Sequence, residues 1–450
     1  MSAAQDSSFS FTQDQLRGFV RDALDQARRQ GASSAEIDVS EGFGKSVTVR
    51  RGEVETIEYN RDKGLGVTAY IGQRKGFAST SDLSPAAIRE TVAAAINIAR
   101  FTAPDPCAGL PDASRLARDV RTDYDLFHPW DISVDDSITL ARQCEDAAFA
   151  VSPQVTNSEG ATVSVQQAQF CAANSLGFEG GYATTRHYIA CSVIAGENEG
   201  MQRDDWYSTA RDPRDLADAA AIGDYAARRA LARLNARKVK TCQVPVIFEA
   251  PLAVSLIGNF VHAASGGALY RKTSFLVDQL GKKIFSPVVR ISERPHLKKG
   301  LATSPFDDDG VATRDREVVE DGILRGYFLS SYTGRKLGMP TTGNAGGSHN
   351  LIVRSGRNDL DGLVRDMGKG LLVTELLGQG VNYVNGDYSR GAAGYWVENG
   401  KIAYPVEEIT IAGNLRDMFL GIADIGKDVV VRGSKQCGSI LINRMKIAGA

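Results

Sequence analysis

Leu16, Phe19, Val20, Ala23, Leu24 and Ala27 recur at helical spacing, and Gly31 supplies a stop. Thr12-Gln13-Asp14-Gln15 fits a capping box at the start of this helix, with Phe11 and Leu16 as its hydrophobic staple. The period then switches to two. Ile37-Val39, Val47-Val49, Val54-Ile57 and Val67-Ala69-Ile71 read as strands, with turns expected at Gly42-Phe43-Gly44, Arg51-Gly52 and Gly72. Ser84-Pro85 restarts a helix whose stripe is Ile88, Val92, Ile96 and Ala99. Residues 101–118 hold Pro104, Pro106 and Pro111 without a clear period and read as a linker. A second unit repeats the order of elements: a helix over 133–150, strands within 155–207, and an Ala/Arg-rich helix over 213–237. Duplication and coincidence both explain that echo.

Beyond residue 240 the pattern breaks into short β-like runs. Val244–Phe248, Tyr327-Phe328-Leu329, Tyr383-Val384, Tyr395-Trp396-Val397, Ile409-Thr410-Ile411 and Ser439–Ile442 predict a curled antiparallel sheet or partial barrel. Ala250 to Tyr270 carries no Asp, Glu, Lys or Arg, but its Pro251, Asn259, His262 and Ser265 favour a buried core helix over a membrane span. Helices and strands are grouped rather than alternating, so the expected fold class is α+β. The expected units are 1–103, 119–239 and a β-rich 240–450.

Charge narrows the function classes. Lys and Arg number 52 against 54 Asp and Glu, a net −2, which gives no support for a nucleic-acid coat. Glycine is plentiful (46) and proline sparse (14), as in turn-rich ordered structure rather than Pro-rich linkers. Six scattered cysteines without a CxxC read as reduced thiols, and Met1–Asp6 shows neither a basic nor an apolar leader region. A cytoplasmic protein without a membrane partner is expected.

Each local motif falls short of a known chemistry. Gly44-Lys45-Ser46 ends like a phosphate loop, but the required earlier glycine is Val39 and β-patterned residues follow, so a hairpin turn is expected. Asp307-Asp308-Asp309-Gly310 lacks the calcium-loop pattern, with Pro305 before it and Arg316 after, and reads as a solvated turn leading to a strand near Val311. G-x-S-x-G is absent, although Ser348 and His349 are adjacent. Gly343–His349 reads as a mobile loop with exposed amides, suited to lining a cleft. His128, His187, His262, His296 and His349 are far apart in sequence, H-E-x-x-H is absent, and His262 reads as a structural histidine. No metal is expected in this chain.

Longer stretches carry a resemblance. Leu256–Phe275, Gly64–Tyr70 followed by Gly76–Thr80, Asp307–Val311 leading to Asp321–Tyr327, Thr342–Ala345, Pro405–Asn414 and Cys437-Gly438-Ser439 together resemble the PmbA/TldE branch of the TldD/PmbA metallopeptidase family. The resemblance implies an N-terminal region and a β-rich C-terminal domain enclosing a cleft. It also implies a heterodimer with a TldD-like catalytic subunit carrying zinc on H-E-x-x-x-H plus a later cysteine, with peptide-antibiotic maturation and antitoxin degradation as associated roles. Placed on this chain, the motif's His, Glu and His fall on Gly258, Asn259 and Ala263. Cys437 would correspond to the later cysteine. His262 is one residue off register, about 100° around a helix.

The expected role is therefore a non-catalytic subunit, with zinc in the partner and none here, holding unfolded peptide by edge-strand pairing. Asn344, Ser348 and His349, with glycine-rich loops at 343–348 and 386–394, are the expected peptide contacts. The isolated chain could stand as a homodimer. Two rivals are an independently active metallopeptidase using Cys437 with His262 or His349, and a peptide-binding or regulatory protein without a protease partner.

Overall fold

The capping box forms as its residues dictate. The Gln15 amide donates to Thr12 Oγ1 at 3.2 Å and the Thr12 amide to Gln15 Oε1 at 2.7 Å, opening α1 (Gln13–Arg29). The computed structural model describes residues 9–118, 120 and 123–449. The Met1–Asp6 stretch and the boundary at 119 lie outside them. After α1 come β1 (Ser34–Arg50), β2 (Glu53–Ile71), β3 (Arg74–Thr80) and α2 (Pro85–Phe101), which Ser84 caps. The second unit is α3 (Val134–Val151), β4 (Val155–Asn174), β5 (Glu179–Ala195), β6 (Gln202–Ala210) and α4 (Ala219–Ala232).

These six strands form one sheet, in the order β3-β2-β1-β4-β5-β6. The antiparallel β1–β4 pair sits at its centre, so each half repeats the other's order outward. Ile37, Val39, Leu65 and Val67 pack on Leu16, Val20 and Val92. Val163, Ile189 and Val193 pack on Ala141 and Ile222 in the second half. Helices α1 to α4 thus cover one face, while Asp38, Ser40, Gln166 and Ala168 stand exposed on the other. The two halves are also latched at the β1–β2 turn. Arg51 and Gly52 both have positive φ (53° and 77°), as a tight two-residue hairpin requires. Their amides each donate at 2.8 Å to the fully buried carboxylate of Glu145 on α3.

Several expectations are corrected here. The Gly42-Phe43-Gly44 turn and the hairpin turn at Gly44-Lys45-Ser46 do not exist, because β1 runs straight through them, hydrogen-bonded to β2 on one side and β4 on the other. The 101–118 segment is irregular but not a free linker. Arg335 donates to the carbonyls of Cys107, Gly109 and Leu110, and Asp105 accepts from Tyr332 and Lys336. Helix α4 is shorter than the 213–237 expectation because Asp218 caps it and Pro213 opens a separate single turn.

The C-terminal region continues with β7 (Cys242–Phe248), α5 (Ala250–Ala263), α6 (Gly266–Tyr270), β8 (Ile291–Glu293), β9 (Arg316–Glu320), β10 (Ile323–Leu324), α7 (Ser331–Leu337), β11 (Leu351–Val353) and α8 (Leu360–Met367). It ends with β12 (Gly370–Leu377), β13 (Val381–Asn382), β14 (Asp387–Glu398), β15 (Lys401–Asn414), α9 (Leu415–Leu420), β16 (Ile422–Ile425), β17 (Lys435–Gln436) and β18 (Ile440–Ala448). The path β12-β7-β18-β15-β14 returns to β12 through an added β12–β14 pairing, closing a five-stranded partial barrel, so the α+β expectation with a curled C-terminal sheet holds. A smaller sheet, β10-β9-β8-β11-β17, lies beside it.

Tyr327-Phe328-Leu329 is not a strand but an isolated bridge from Phe328 to Ser265, and Tyr383-Val384 lies in the turn after β13. The uncharged 250–270 stretch is two helices rather than one. Ser265 caps the second, where a Cβ on Gly266 would come within 2.3 Å of Thr333 Oγ1 on α7. Among the described residues no helix is long and apolar enough to cross a membrane.

Candidate functional site

Helix α5 starts with Pro251 in its first turn, where proline's missing amide is not needed. Ala253, Leu256, Ile257, Phe260 and Ala263 are buried and join the barrel core with Val246, Phe248 and Ile440. Its outer face carries Ser255, Gly258, Asn259 and His262 at i, i+3, i+4 and i+7. Asn259 Oδ1 accepts from the Tyr383 hydroxyl at 2.9 Å. The same Tyr383 ring lies 4.0 Å, centroid to centroid, from His262. His262 is exposed although the helix that carries it packs into the core. A Cβ on Gly258 would stand 3.8 Å from Lys435 Cε.

Zinc does not fit these residues. Gly258, Asn259 and Ala263 offer neither imidazole nor carboxylate, and Ala263 is fully buried. Cys437 is also fully buried, its thiol directed at the Gly438 carbonyl (3.1 Å), and burial pushes its ionisation well up. Among the described residues no group of three or more His, Cys, Asp and Glu side chains is placed to hold a metal ion.

A second candidate site is a cleft of about 700 Å³ between the uncovered face of the long sheet and two C-terminal loops. Asp38 and Ser40 of β1, Phe170 of β4 and Tyr182 of β5 form one wall; Asp308 and Ser348 belong to the other. Ser348 and His349 both reach this cleft, whereas Asn344 is not on its wall. The loop bearing them is anchored rather than mobile. Asn344 Nδ2 donates to Glu293 Oε1 (2.8 Å), and its Oδ1 accepts from Arg316 (3.0 Å) and Thr342 (2.7 Å). The His349 amide donates to Glu293 at 2.8 Å, and its Nε2 to the Gly343 carbonyl at 2.9 Å. Asn344 and His349 are buried; only Gly346 and Gly347 are exposed. The expected exposed amides are therefore confined to the loop's tip.

Asp307 is 3% exposed and is not part of a solvated turn. It accepts from the amides of Asp309, Val311 and Ala345. Burial, and then the charge of Asp309, push its carboxyl up to about 7. Val311 makes only an isolated bridge, to Leu116, rather than starting a strand. The 386–394 segment is likewise no glycine-rich loop: from Asp387 onward it is strand β14, and it carries Arg390.

Sequence reasoning missed Glu293, Arg316, Tyr383, Tyr388, Arg390 and Lys435. Their only local signal was a charged or phenolic residue inside a β-like run, which is common on any half-exposed strand.

Models of the PmbA/TldA metallopeptidase domains match three stretches: domain 1 at residues 35–99, the central domain at 127–234 and the C-terminal domain at 241–449. A protein of Escherichia coli O157:H7 named metalloprotease PmbA is 49% identical over 434 residues, 96% of each chain. A crystal structure from Bacteroides thetaiotaomicron, described as a candidate modulator of DNA gyrase, is 27% identical with a TM-score of 0.92, covering 98% of this chain and 100% of its own. TldE from Thermococcus kodakarensis shares the fold at 21% identity, with a TM-score of 0.83 over 96% of this chain and 100% of its own. The chain belongs to the PmbA/TldD metallopeptidase family, in its PmbA/TldE branch.

Proposed function

We propose that this chain is the non-catalytic subunit of a heterodimeric zinc peptidase acting on unfolded peptides. The observation that carries the reading is the outer face of α5: Gly258 and Asn259 stand there and Ala263 faces the core, with no metal-ligand cluster among the described residues. A TldD-like partner would hold the zinc, whose bound water attacks the peptide bond. This chain would form part of the chamber and hold substrate in its cleft, with Ser348 and the Gly346–Gly347 backbone as contacts. Six cysteines without a disulfide support a reducing, cytoplasmic compartment.

The E. coli relative's name, metalloprotease, favours a second reading in which the chain is active alone. One experiment separates them: co-expression with an H-E-x-x-x-H-bearing TldD-like chain, native mass measurement, zinc analysis and a peptidase assay. The expected result is a complex holding both chains, with zinc and activity only in that complex. Stoichiometric zinc and cleavage by this chain alone would overturn the proposal.

A further inference from the structure

Around α5 the barrel and the smaller sheet carry polar groups without full complements of partners. Tyr388 and Arg390, two apart on β14, point to the same side of the strand. Tyr388 is 1% exposed, and its hydroxyl has no hydrogen-bond partner. Arg390 Nε is also buried and unpartnered, and no carboxylate of the described residues pairs with the guanidinium. Its charge acts on both the Tyr383 and the Tyr388 phenols, its guanidinium lies within hydrogen-bonding reach of the Tyr388 hydroxyl though not in good bonding geometry, and Tyr383 in turn bonds Asn259 on α5. The hydroxyls of Ser255 on α5 and Thr374 on β12 are buried and unpaired as well. On the Gly258 side of the helix, the half-buried Lys435 has only Ser434 Oγ near its ammonium, at 3.5 Å, and no acid among the described residues. Burial alone lowers its proton affinity.

Other secluded cations have found partners, the acid-free Arg211 and Arg432 on backbone carbonyls. Arg229 is held by Glu249 and Asp204, and Arg316 by Glu293. A half-buried guanidinium without an acid, beside a buried phenol with no neighbour to bond except that guanidinium, is a site lacking its anion. β13, next to Tyr383, ends the strand path of its sheet, so an extended chain can lie along that edge.

We infer that the face of α5 bordered by Arg390, Tyr388 and Lys435 binds a carboxylate of an extended peptide, Arg390 being its principal anchor. The inference deepens the peptide-holding reading and rests on it for the ligand being a peptide. Its test needs only this chain, whereas the pairing test needs two, so either can fail alone.

The full chain is titrated by fluorescence anisotropy with an N-terminally fluorescein-labelled Ala/Ser hexapeptide. Three forms are used: the free acid, the C-terminal amide, and the amide with one internal Glu. The free acid should bind at least about tenfold more tightly than the plain amide. Recovery by internal Glu would assign the site to side-chain carboxylates, and no recovery to the terminus; either result supports the site. Arg390→Gln should weaken free-acid binding about tenfold, with partial rescue by Arg390→Lys, and Lys435→Met about threefold. If Arg390→Gln does not fold by circular dichroism, Tyr388→Phe replaces it, with a loss of about threefold expected. Equal binding of acid and amide, absence of binding, or unchanged affinity in the folded variants would overturn the inference.

Discussion

Two polar regions of the C-terminal half differ in one respect. Around Glu293 each charge and amide has found its counterpart: the carboxylate takes Arg316 Nε at 2.6 Å, Asn344 Nδ2 and the His349 amide, and Asn344 accepts in turn from Thr342. Around Arg390 and Tyr388 the counterparts are missing. Both regions are substantially buried, so exposure does not separate them; satisfaction does. A saturated network spends its hydrogen-bonding capacity on holding a loop in place, while an unsaturated one keeps capacity for something from outside. The loop of Asn344 and His349 therefore shapes the cleft, and the face of α5 has the chemistry left to bind.

The saturated side should break hardest. Glu293→Ala strands the largely buried Arg316 guanidinium and removes acceptors for Asn344 and the His349 amide. A loss of about 3–5 kcal/mol is expected, as for other buried pairs broken from one side. Denaturant unfolding measures it, and the double variant Glu293→Ala/Arg316→Met should recover part of the loss. A loss under about 1 kcal/mol would mean that the network holds nothing.

The same loop should show a pH signature through Asp307. Its carboxyl is raised to about 7 in the fold, above its ordinary value, so the folded chain binds this proton more tightly than the unfolded one. Stability from this group is full at low pH and is lost as pH rises through about 7. Between about pH 5.5 and pH 8 the loss should be about 2 kcal/mol. Thermal unfolding across that range should show it in the parent and a flatter profile in Asp307→Asn, whatever that variant's absolute stability.

How much of this was legible follows from sequence separation. The Thr12 box, the Ser84 cap and the Arg51-Gly52 turn are built within a few residues and could be read directly. Gly42 and Gly44 misled because glycine inside a strand paired on both edges looks like a turn until its partners, in β4 more than a hundred residues away, are known. The β12–β14 closure and the Glu293 network likewise depend on pairings the chain does not announce: Glu293 meets Arg316 across 23 residues and Asn344 across 51. The replacement of the zinc motif at Gly258, Asn259 and Ala263 was visible in the residues themselves. What surrounds them was not, since Lys435 of the smaller sheet comes beside Gly258, and Tyr383 beside Asn259, only in the folded chain.

The smallest expected effect sharpens the comparison most. Tyr388→Phe removes one oxygen from a residue that is 1% exposed. If the hydroxyl were part of a closed network, its loss would cost about 1–2 kcal/mol, because a partner would be left unsatisfied. With no well-formed bond even to the neighbouring Arg390, the ring stays in the core beside Phe248 and only a poorly paired polar atom disappears. Stability in the peptide-free chain should then stay within about 0.5 kcal/mol of the parent, or rise slightly. Adding the free-acid hexapeptide should stabilise the parent more than the variant, because only the parent has a hydroxyl to give the carboxylate. A destabilised peptide-free variant with no difference on peptide addition would place Tyr388 on the saturated side with Glu293, and the distinction between the two regions would fail there.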